Sequence, residues 1–320
     1  MNKQKLRPLF TVGDLTVMLN LRIKMIYTLT LNPCLDYVMD CEKVLYGETN
    51  RSMSESITFG GKGINVSVVL KELGVPSTAL GLVGGFTGDE LEKQIREMGI
   101  VSDFVHVCGG NTRINVKLRG KDITEINASG FSVTDDDLQK LYDKLQGLSH
   151  EDTLVIGGSA PKGSPDSIYE HICSLVSQKG TRLVVDTTGQ KLLNCLKYSP
   201  FLIKPNKAEL SELAGEQISS DNDVINGAKK LQNMGAVNVL VSMGSEGALL
   251  LDEDGFVHKE TAHKITAVNT VGAGDSMVAG FLAGINDGYD NALKLGNACG
   301  AATAQSPCLA KYSDIKKFAV

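Results

Sequence analysis

From Met25 onward, short runs of β-branched and apolar residues alternate with longer stretches in which apolar positions recur at helical spacing. Met25–Leu31, Ser77–Leu82, Thr153–Ile156, Arg182–Val185, Phe201–Ile203 and Asn238–Val241 read as strands. Between them, Leu91, Ile95 and Met98 fall at i, i+4 and i+7, and Leu138, Leu141 and Leu145 at i, i+3 and i+7. Ile168, Ile172, Leu175 and Val176 mark another helix, and Val224, Ala228, Leu231 and Met234 a fourth. This alternation predicts an α/β fold, a mostly parallel central sheet with helices on both faces. Ligands of such folds gather outside the carboxyl ends of the strands.

Two segments break the rhythm, residues 35–58 and 105–127. In the second, Thr112–Leu118 and Ile123–Asn127 read as strands with no helix between them, which predicts a small β element apart from the main sheet. The chain has no Pro-rich or Ser-rich linker and no repeat of fixed period, so one domain over 25–320 with an inserted lid is expected. Residues 1–24 differ from the rest: Lys3, Lys5, Arg7, Arg22 and Lys24 surround a weak apolar patch without a small-residue cleavage motif. They read as an upstream extension, an appended segment or a peripheral arm, not as a secretory signal.

With 320 residues, 42% hydrophobic and 22% charged, the chain can bury a core that needs no disulfide or structural metal. It contains no apolar run of about 20 residues, so a membrane protein is not expected. A formal net charge of −5 without long runs of like charge argues against nucleic acid or anionic lipid as a partner. Any bound phosphate must meet locally placed cations or amides. The seven cysteines are odd in number and include no C-x-x-C pair, which fits reduced thiols in a cytoplasm.

The sharpest candidate for chemistry is Thr270-Val271-Gly272-Ala273-Gly274-Asp275-Ser276, followed by an apolar helix over Met277–Ile285. Glycines allow a tight turn with bare N–H groups, and a helix start adds partial positive charge, so the run can hold an anion. Asp275, in the first helical turn, can accept the proton of a hydroxyl that attacks a bound phosphoryl group. A simple glycine turn with Asp275 as a cap residue fits the same letters.

A second glycine-rich element, Phe59-Gly60-Gly61-Lys62-Gly63-Ile64-Asn65-Val66, also opens a helix, anchored by Ile64, Val68 and Val69. It is no Walker A loop, because Gly63 follows Lys62 where Ser or Thr is required. Bare amides, a cation and the Asn65 amide at one helix start suit a phosphorylated polyol, although a solvated Lys62 would leave the same pattern. In Thr112–Leu118, Arg113, Asn115 and Lys117 share one strand face, and a guanidinium offers forked donors to phosphate, as a merely exposed strand face also could.

In Ile203–Leu210, Asn206 and Glu209 have the spacing of a capping box and could also stand near the water shell of a Mg²⁺ ion. Val239–Leu249 reads as strand, turn, strand; Gly244 and Gly247 would let a ligand approach the backbone, or simply serve a hairpin. The glycines from 81 to 88 lack the spacing of a dinucleotide fingerprint.

Taken together and in this order, LTLNPCLDY (Leu29–Tyr37), GGKGINV (Gly60–Val66), TRINVKL (Thr112–Leu118), KPNKAEL (Lys204–Leu210) and TVGAGDSM (Thr270–Met277) resemble the PfkB, or ribokinase-like, family of carbohydrate kinases. The likeness is to the branch acting on ketohexose phosphates, which contains 1-phosphofructokinase and tagatose-6-phosphate kinase. It implies a three-layer αβα ribokinase-like fold with a small β lid that pairs between subunits, and so a homodimer. It also implies ATP and Mg²⁺, with a phosphorylated ketohexose as acceptor.

By the same resemblance Asp275 matches the catalytic base, and Gly272, Ala273 and Gly274 the anion hole. Asp36, Gly61 and Asn65 match contacts to sugar hydroxyls, and Lys62 and Arg113 the cations on the resident phosphate. Ser242, Gly244, Ser245, Glu246 and Gly247 match the nucleotide loop, Asn297 the adenine pocket and Lys204 a nucleotide-phosphate contact. Asn206 and Glu209 match the element that influences Mg²⁺ through water. Asn269 and Cys34 depart from residues common in the family and bear on fine specificity. The expected reaction is fructose 1-phosphate to fructose 1,6-bisphosphate. Tagatose 6-phosphate to tagatose 1,6-bisphosphate is the alternative within the family, and a noncatalytic sugar-phosphate sensor the alternative of another class.

Overall fold

The computed structural model describes residues 25–319, so the upstream segment 1–24 lies outside the described residues. In chain order the first elements are β1 (Ile26–Thr30), β2 (Cys34–Asp40), β3 (Ser54–Gly60), α1 (Lys62–Glu72), β4 (Ser77–Gly84), α2 (Gly85–Glu97), β5 (Val101–Val107), β6 (Arg113–Arg119) and β7 (Ile123–Ile126). There follow α3 (Asp135–Gln146), β8 (Thr153–Gly157), α4 (Ile168–Ser177), β9 (Arg182–Asp186), α5 (Gly189–Leu196), β10 (Leu202–Ile203), α6 (Lys207–Ala214) and α7 (Asp221–Asn233). The chain closes with β11 (Asn238–Ser242), β12 (Ala248–Leu251), β13 (Val257–Glu260), α8 (Ala273–Gly284), α9 (Tyr289–Ala304) and α10 (Tyr312–Ile315).

Nine strands form the main sheet in the order β13-β12-β11-β10-β9-β8-β1-β4-β5. From β11 to β5 every pairing is parallel, and the antiparallel β12 and β13 finish one edge. Both faces of the sheet are buried, and the period-2 alternation of the strands divides the core accordingly. Leu154, Ile156, Leu183 and Val185 face a cluster with Leu138 and Leu141 of α3 and Ile172 of α4. Val155, Val184, Leu202 and Leu240 face the opposite cluster, with Val66 and Val69 of α1, Phe281 of α8 and Leu293 of α9. The fold is therefore α/β with helices on both faces of a mostly parallel sheet, as the alternation predicts. Met98 and Met234 are both C-caps: Met98 packs partly buried on the cluster of Leu91 and Ile95, whereas Met234 is exposed.

The second sheet has four strands in the order β3-β2-β6-β7. Its central pair, β2 and β6, is parallel, with Cys34 opposite Arg113 and Asp36 opposite Asn115. Leu35 and Phe59 seat it on Ile64 and Val68 of α1 and on Leu91 and Ile95 of α2. Its limits differ from the expected lid segments. Residues 105–107 belong to β5 in the main sheet, because Phe104, Val105 and Val107 are buried beside β4 and nothing turns the chain until Gly109-Gly110. Conversely, the small sheet includes Cys34 at one end and continues through Gly60 at the other.

The two helices behind the site, α8 and α9, approach so closely at Gly280 that no side chain fits between them there. A methyl added at Gly280 would stand 2.6 Å from the Leu295 carbonyl oxygen and 2.8 Å from the Gly296 Cα. Ser276 Oγ lies 2.8 Å from Thr303 Oγ1 and fixes the start of α8 against α9. Among the described residues, no helix is long and apolar enough to cross a membrane. Gly280→Ala, which overpacks backbone against backbone, is expected to cost about 1–3 kcal/mol in equilibrium urea unfolding. An unchanged midpoint would show that the helices can separate freely.

Candidate active site

A cleft of about 1360 Å³ opens at the carboxyl ends of the parallel strands, between the main sheet and the small one. Asp275 is buried in it, in the first turn of α8. The turn before it depends on Gly272, which adopts φ 80, a left-handed conformation that side chains disfavour. The N–H of Ala273 donates to the Thr270 carbonyl at 3.2 Å and closes this turn. The N–H groups of Gly272, Gly274 and Asp275 have no hydrogen-bond partner among the described residues, and these three residues line the cleft. Two of the three predicted anion-hole residues thus present free amides, while the amide of Ala273 is spent on the turn.

The Asn65 Nδ2 group, from the first turn of α1, donates to Asp275 Oδ2 at 2.7 Å. Burial, and then the charge of Asp186, push the Asp275 carboxyl up to about 6, while Lys62, Asn65 and Lys204 act in the other direction. α1 begins where it does because Gly61, at φ 140, leaves room for Thr30: a methyl there would stand 2.6 Å from Thr30 Cγ2. Thr30 Oγ1 then accepts from the Ile64 N–H at 3.1 Å. Lys62, the first helical residue, donates to Asp186 Oδ2 at 3.0 Å and to the Asp186 carbonyl at 3.2 Å. Lys204, buried at the end of β10, stands 3.5 Å from Asp186 Oδ1. Burial alone would raise the Asp186 carboxyl, but the two ammonium groups outweigh it and hold it below its ordinary value. Lys62, matched by resemblance to a cation on the resident phosphate, thus lines the cleft while ion-paired with Asp186.

The small sheet contributes the opposite wall. Arg113, Asn115 and Lys117 share its cleft face, as the alternation predicts. Arg113 Nε donates to the Asn32 carbonyl at 3.2 Å, and its guanidinium forms no ion pair among the described residues. Asp36 is encircled by donors: Lys117 Nζ at 2.9 Å, Asn115 Nδ2 at 3.0 Å and the Cys34 thiol at 3.3 Å. Burial, and then the Asp36 charge, push the Cys34 thiol up to about 12, so it stays protonated. Asn32 Oδ1 and Asn115 Oδ1 are buried acceptors with no partner, both on cleft-lining residues. An orphaned buried acceptor is costly unless a ligand donor satisfies it.

Asn206 and Glu209 form a reciprocal capping box at the start of α6: Asn206 Oδ1 accepts from the Glu209 N–H, and Glu209 Oε2 from the Asn206 N–H, each at 2.8 Å. Both residues line the cleft. With Asn206 Oδ1 and Glu209 Oε2 committed to the backbone, the pair fits contact with a Mg²⁺ ion through its waters.

Ser242 lines the cleft, but Gly244, Ser245, Glu246, Gly247 and Asn297 do not line the same space. Gly247 packs on the segment 260–262, where an added methyl would stand 2.0 Å from the Glu260 carbonyl oxygen. Asn297 Nδ2 donates to the Thr261 carbonyl in that same segment at 2.9 Å. Glu246 is taken up by an ion pair with Lys207 at 2.8 Å. Loop and helix thus meet at 260–262, at the edge of the main sheet. Residues missed in the sequence include Asp186, Asn32, Asn115 as a free acceptor, and Ser159, which lines the cleft beyond the left-handed Gly158. An aspartate or a Gly-Ser pair just after an apolar parallel strand is the signal that could have found two of them.

Comparison with known proteins agrees with this geometry. Residues 29–313 match the model of the pfkB family carbohydrate kinases. The chain is 44% identical over 284 residues to the 1-phosphofructokinase of Bacillus subtilis, which covers 88% of this chain and 93% of that one. It is 36% identical over 298 residues to the D-tagatose-1-phosphate kinase of Bacillus licheniformis, covering 92% and 97%. The solved structure of phosphofructokinase-2 from Escherichia coli in complex with fructose-6-phosphate superposes with a TM-score of 0.85 at 28% identity, covering 92% of this chain and 98% of that one. This chain belongs to the pfkB family of carbohydrate kinases.

Proposed function

We propose that this kinase transfers the γ-phosphoryl group of ATP to the C6 hydroxyl of a ketohexose 1-phosphate, with fructose 1-phosphate as the preferred acceptor. The observation that carries this reading is the meeting of Asp275, the free amides of the α8 start and the unpaired guanidinium of Arg113 in one cleft. A phosphate held by Arg113 at one end of the sugar leaves the far hydroxyl to Asp275 at the other. Asn32 Oδ1 and Asn115 Oδ1 supply acceptors for the intervening hydroxyls, which fits a polyol better than an apolar ligand.

In the proposed mechanism Asp275 removes the proton of the attacking hydroxyl, and Asn65 fixes which carboxylate oxygen does so. The amides of Gly272, Gly274 and Asp275 receive the charge that spreads over the transferred group, and Lys204 adds a cation at the same helix start. Asn206 and Glu209 would hold the waters of a Mg²⁺ ion, which would supply neutralisation of phosphate charge. The segment around 260–262, with Gly247 and Asn297, is assigned to the nucleotide base.

Identity to a 1-phosphofructokinase supports fructose 1-phosphate. A tagatose phosphate is the second reading, supported by the relative named D-tagatose-1-phosphate kinase. That name puts the resident phosphate on C1, so the two readings differ in configuration at C4, whereas tagatose 6-phosphate would reverse the sugar in the cleft. The kinase relatives tell against a noncatalytic sensor. Seven cysteines without a disulfide and a soluble phosphorylated acceptor support a cytoplasmic setting.

We also assign the outer face of the small sheet to a second copy of the chain. Ile114 and Ile126 are exposed there, on the side away from Asn115 and Lys117. Oligomers occur among the relatives, since a tetrameric form of the Escherichia coli phosphofructokinase-2 is known.

Asp275→Asn keeps an acceptor for Asn65 but cannot take a proton, so kcat should fall by about 10²–10⁴-fold with KM for the sugar nearly unchanged. Because Asp275 must be ionised, wild-type kcat/KM should decline below about pH 6, measured by ADP release. Arg113→Ala removes a charged hydrogen-bond donor worth about 1.5–3 kcal/mol, so KM for fructose 1-phosphate should rise roughly 10- to 100-fold with kcat retained. An unchanged KM would remove Arg113 from the phosphate site. Sedimentation equilibrium should give a dimer for the native chain and a monomer for Ile126→Asp; a native monomer would end the assignment of the outer face.

A further inference from the structure

We propose that Asp186 is a positioning residue of the phosphoryl-transfer site: its buried carboxylate clamps Lys62 and Lys204 beside Asp275 and sets the electrostatic potential at that base. The inference rests on the reading of Asp275 as the base. Asp186 ends β9, and it gathers cations from two other elements: Lys62 from the start of α1 at 3.0 Å, and Lys204 from the end of β10 at 3.5 Å. A second bond, from Lys62 to the Asp186 carbonyl at 3.2 Å, fixes the ammonium to the backbone as well as to the side chain. Asp186 and Lys204 are both buried, so these contacts are poorly screened.

Every charged group facing Asp275 belongs to this cluster: Lys62 from α1, Asp186 from β9 and Lys204 from β10, with the neutral Asn65 also from α1 and Glu209 of α6 acting on Lys62. Two carboxylates and two ammonium groups offset one another only when Asp275 is ionised. Without Asp186, two uncompensated cations would hold Asp275 as a firmly ionised, weakly basic carboxylate. With it, the cations stay close enough to attract phosphoryl oxygens, and Asp275 keeps affinity for a proton. That balance agrees with the upward displacement of the Asp275 carboxyl, to which Asp186 contributes after burial.

The test is a pH series with fructose 1-phosphate and Mg-ATP on the wild type, Asp275→Asn, Asp186→Asn and Lys62→Met. It is paired with NMR titration of the Asp275 carboxyl carbon in the ligand-free proteins, that signal being assigned by its loss in Asp275→Asn. The sugar phosphate has its own ionisation near pH 6, common to all variants, so differences between profiles are read. Asp186→Asn should move the Asp275 midpoint down by on the order of one pH unit, and Lys62→Met should move it up by a similar amount. Opposite shifts are the signature of charge; a purely structural clamp would lower stability and move neither midpoint. If Asp186→Asn does not fold, Lys62→Met alone carries the test, and an unmoved Asp275 midpoint overturns the proposal. Midpoints that stay put while Asp275→Asn is inactive overturn the role of Asp186 alone. Wild-type turnover in Asp275→Asn overturns the base assignment itself, and with it this inference.

Discussion

A carboxylate kept out of water at the start of α8 is the constraint around which the site is arranged. Asp275 is 5% exposed, and ionising it there is opposed first by burial and then by Asp186. Its folded-state carboxyl is displaced from 3.8 to about 6. The native state therefore holds this proton more firmly than the unfolded chain does. Stability attributable to the group falls as pH rises through that window, by on the order of 3 kcal/mol. An ionised Asp275 is tolerated because the hydrophobic core fixes α8 elsewhere, through Phe281, Val278 and the glycine contact with α9. Catalytic groups held against their own solvation preference are a common cause of such local instability.

The partners of that carboxylate come from places far apart in the chain, and the parallel sheet explains why they meet. Each parallel strand ends on the same edge, so Thr30, Asp186, Lys204 and Ser242, which follow or finish four different strands, come to one side. The small sheet adds a second wall of contrasting character. Its inner face is a chain of polar contacts, with Asp36 holding Lys117, Asn115 and Cys34. Its floor is apolar, with Leu35 and Phe59 against α1 and α2. Removing Asp186 from its buried pair with Lys204 would leave an uncompensated charge, typically a loss of about 3–5 kcal/mol.

How much of this was legible in the sequence follows from how local each cause is. The alternation of strands and helices, the glycine turns before α1 and α8, and the shared face of Arg113, Asn115 and Lys117 are short-range patterns, and they were readable. The boundary at β5 was not, because only the pairing of Val101–Val107 with β4 assigns that run to the main sheet rather than to the small one. Asp186 carried only the general signal of an aspartate ending an apolar parallel strand; its partner Lys62 lies 124 residues away. Asn206 and Glu209 were readable as a capping box because both partners lie within one turn. Gly244–Gly247 and Asn297 were placed by resemblance, and their junction at 260–262 depends on tertiary packing that no local pattern carries.

Helix α1 belongs to all three parts of the molecule at once. Ile64 and Val68 support the small sheet, Val66 and Val69 lie in the core with α8, and Asn65, between them, holds Asp275. Ser67 ties the same helix to Thr28 of β1 and Ser77 of β4. The seat of the small sheet and the hydrogen bond that orients Asp275 therefore share one helix. A ligand that shifted the small sheet through this helix would be felt at the carboxylate, and by reciprocity a change at the carboxylate would alter the affinity of the sheet for that ligand in equal measure.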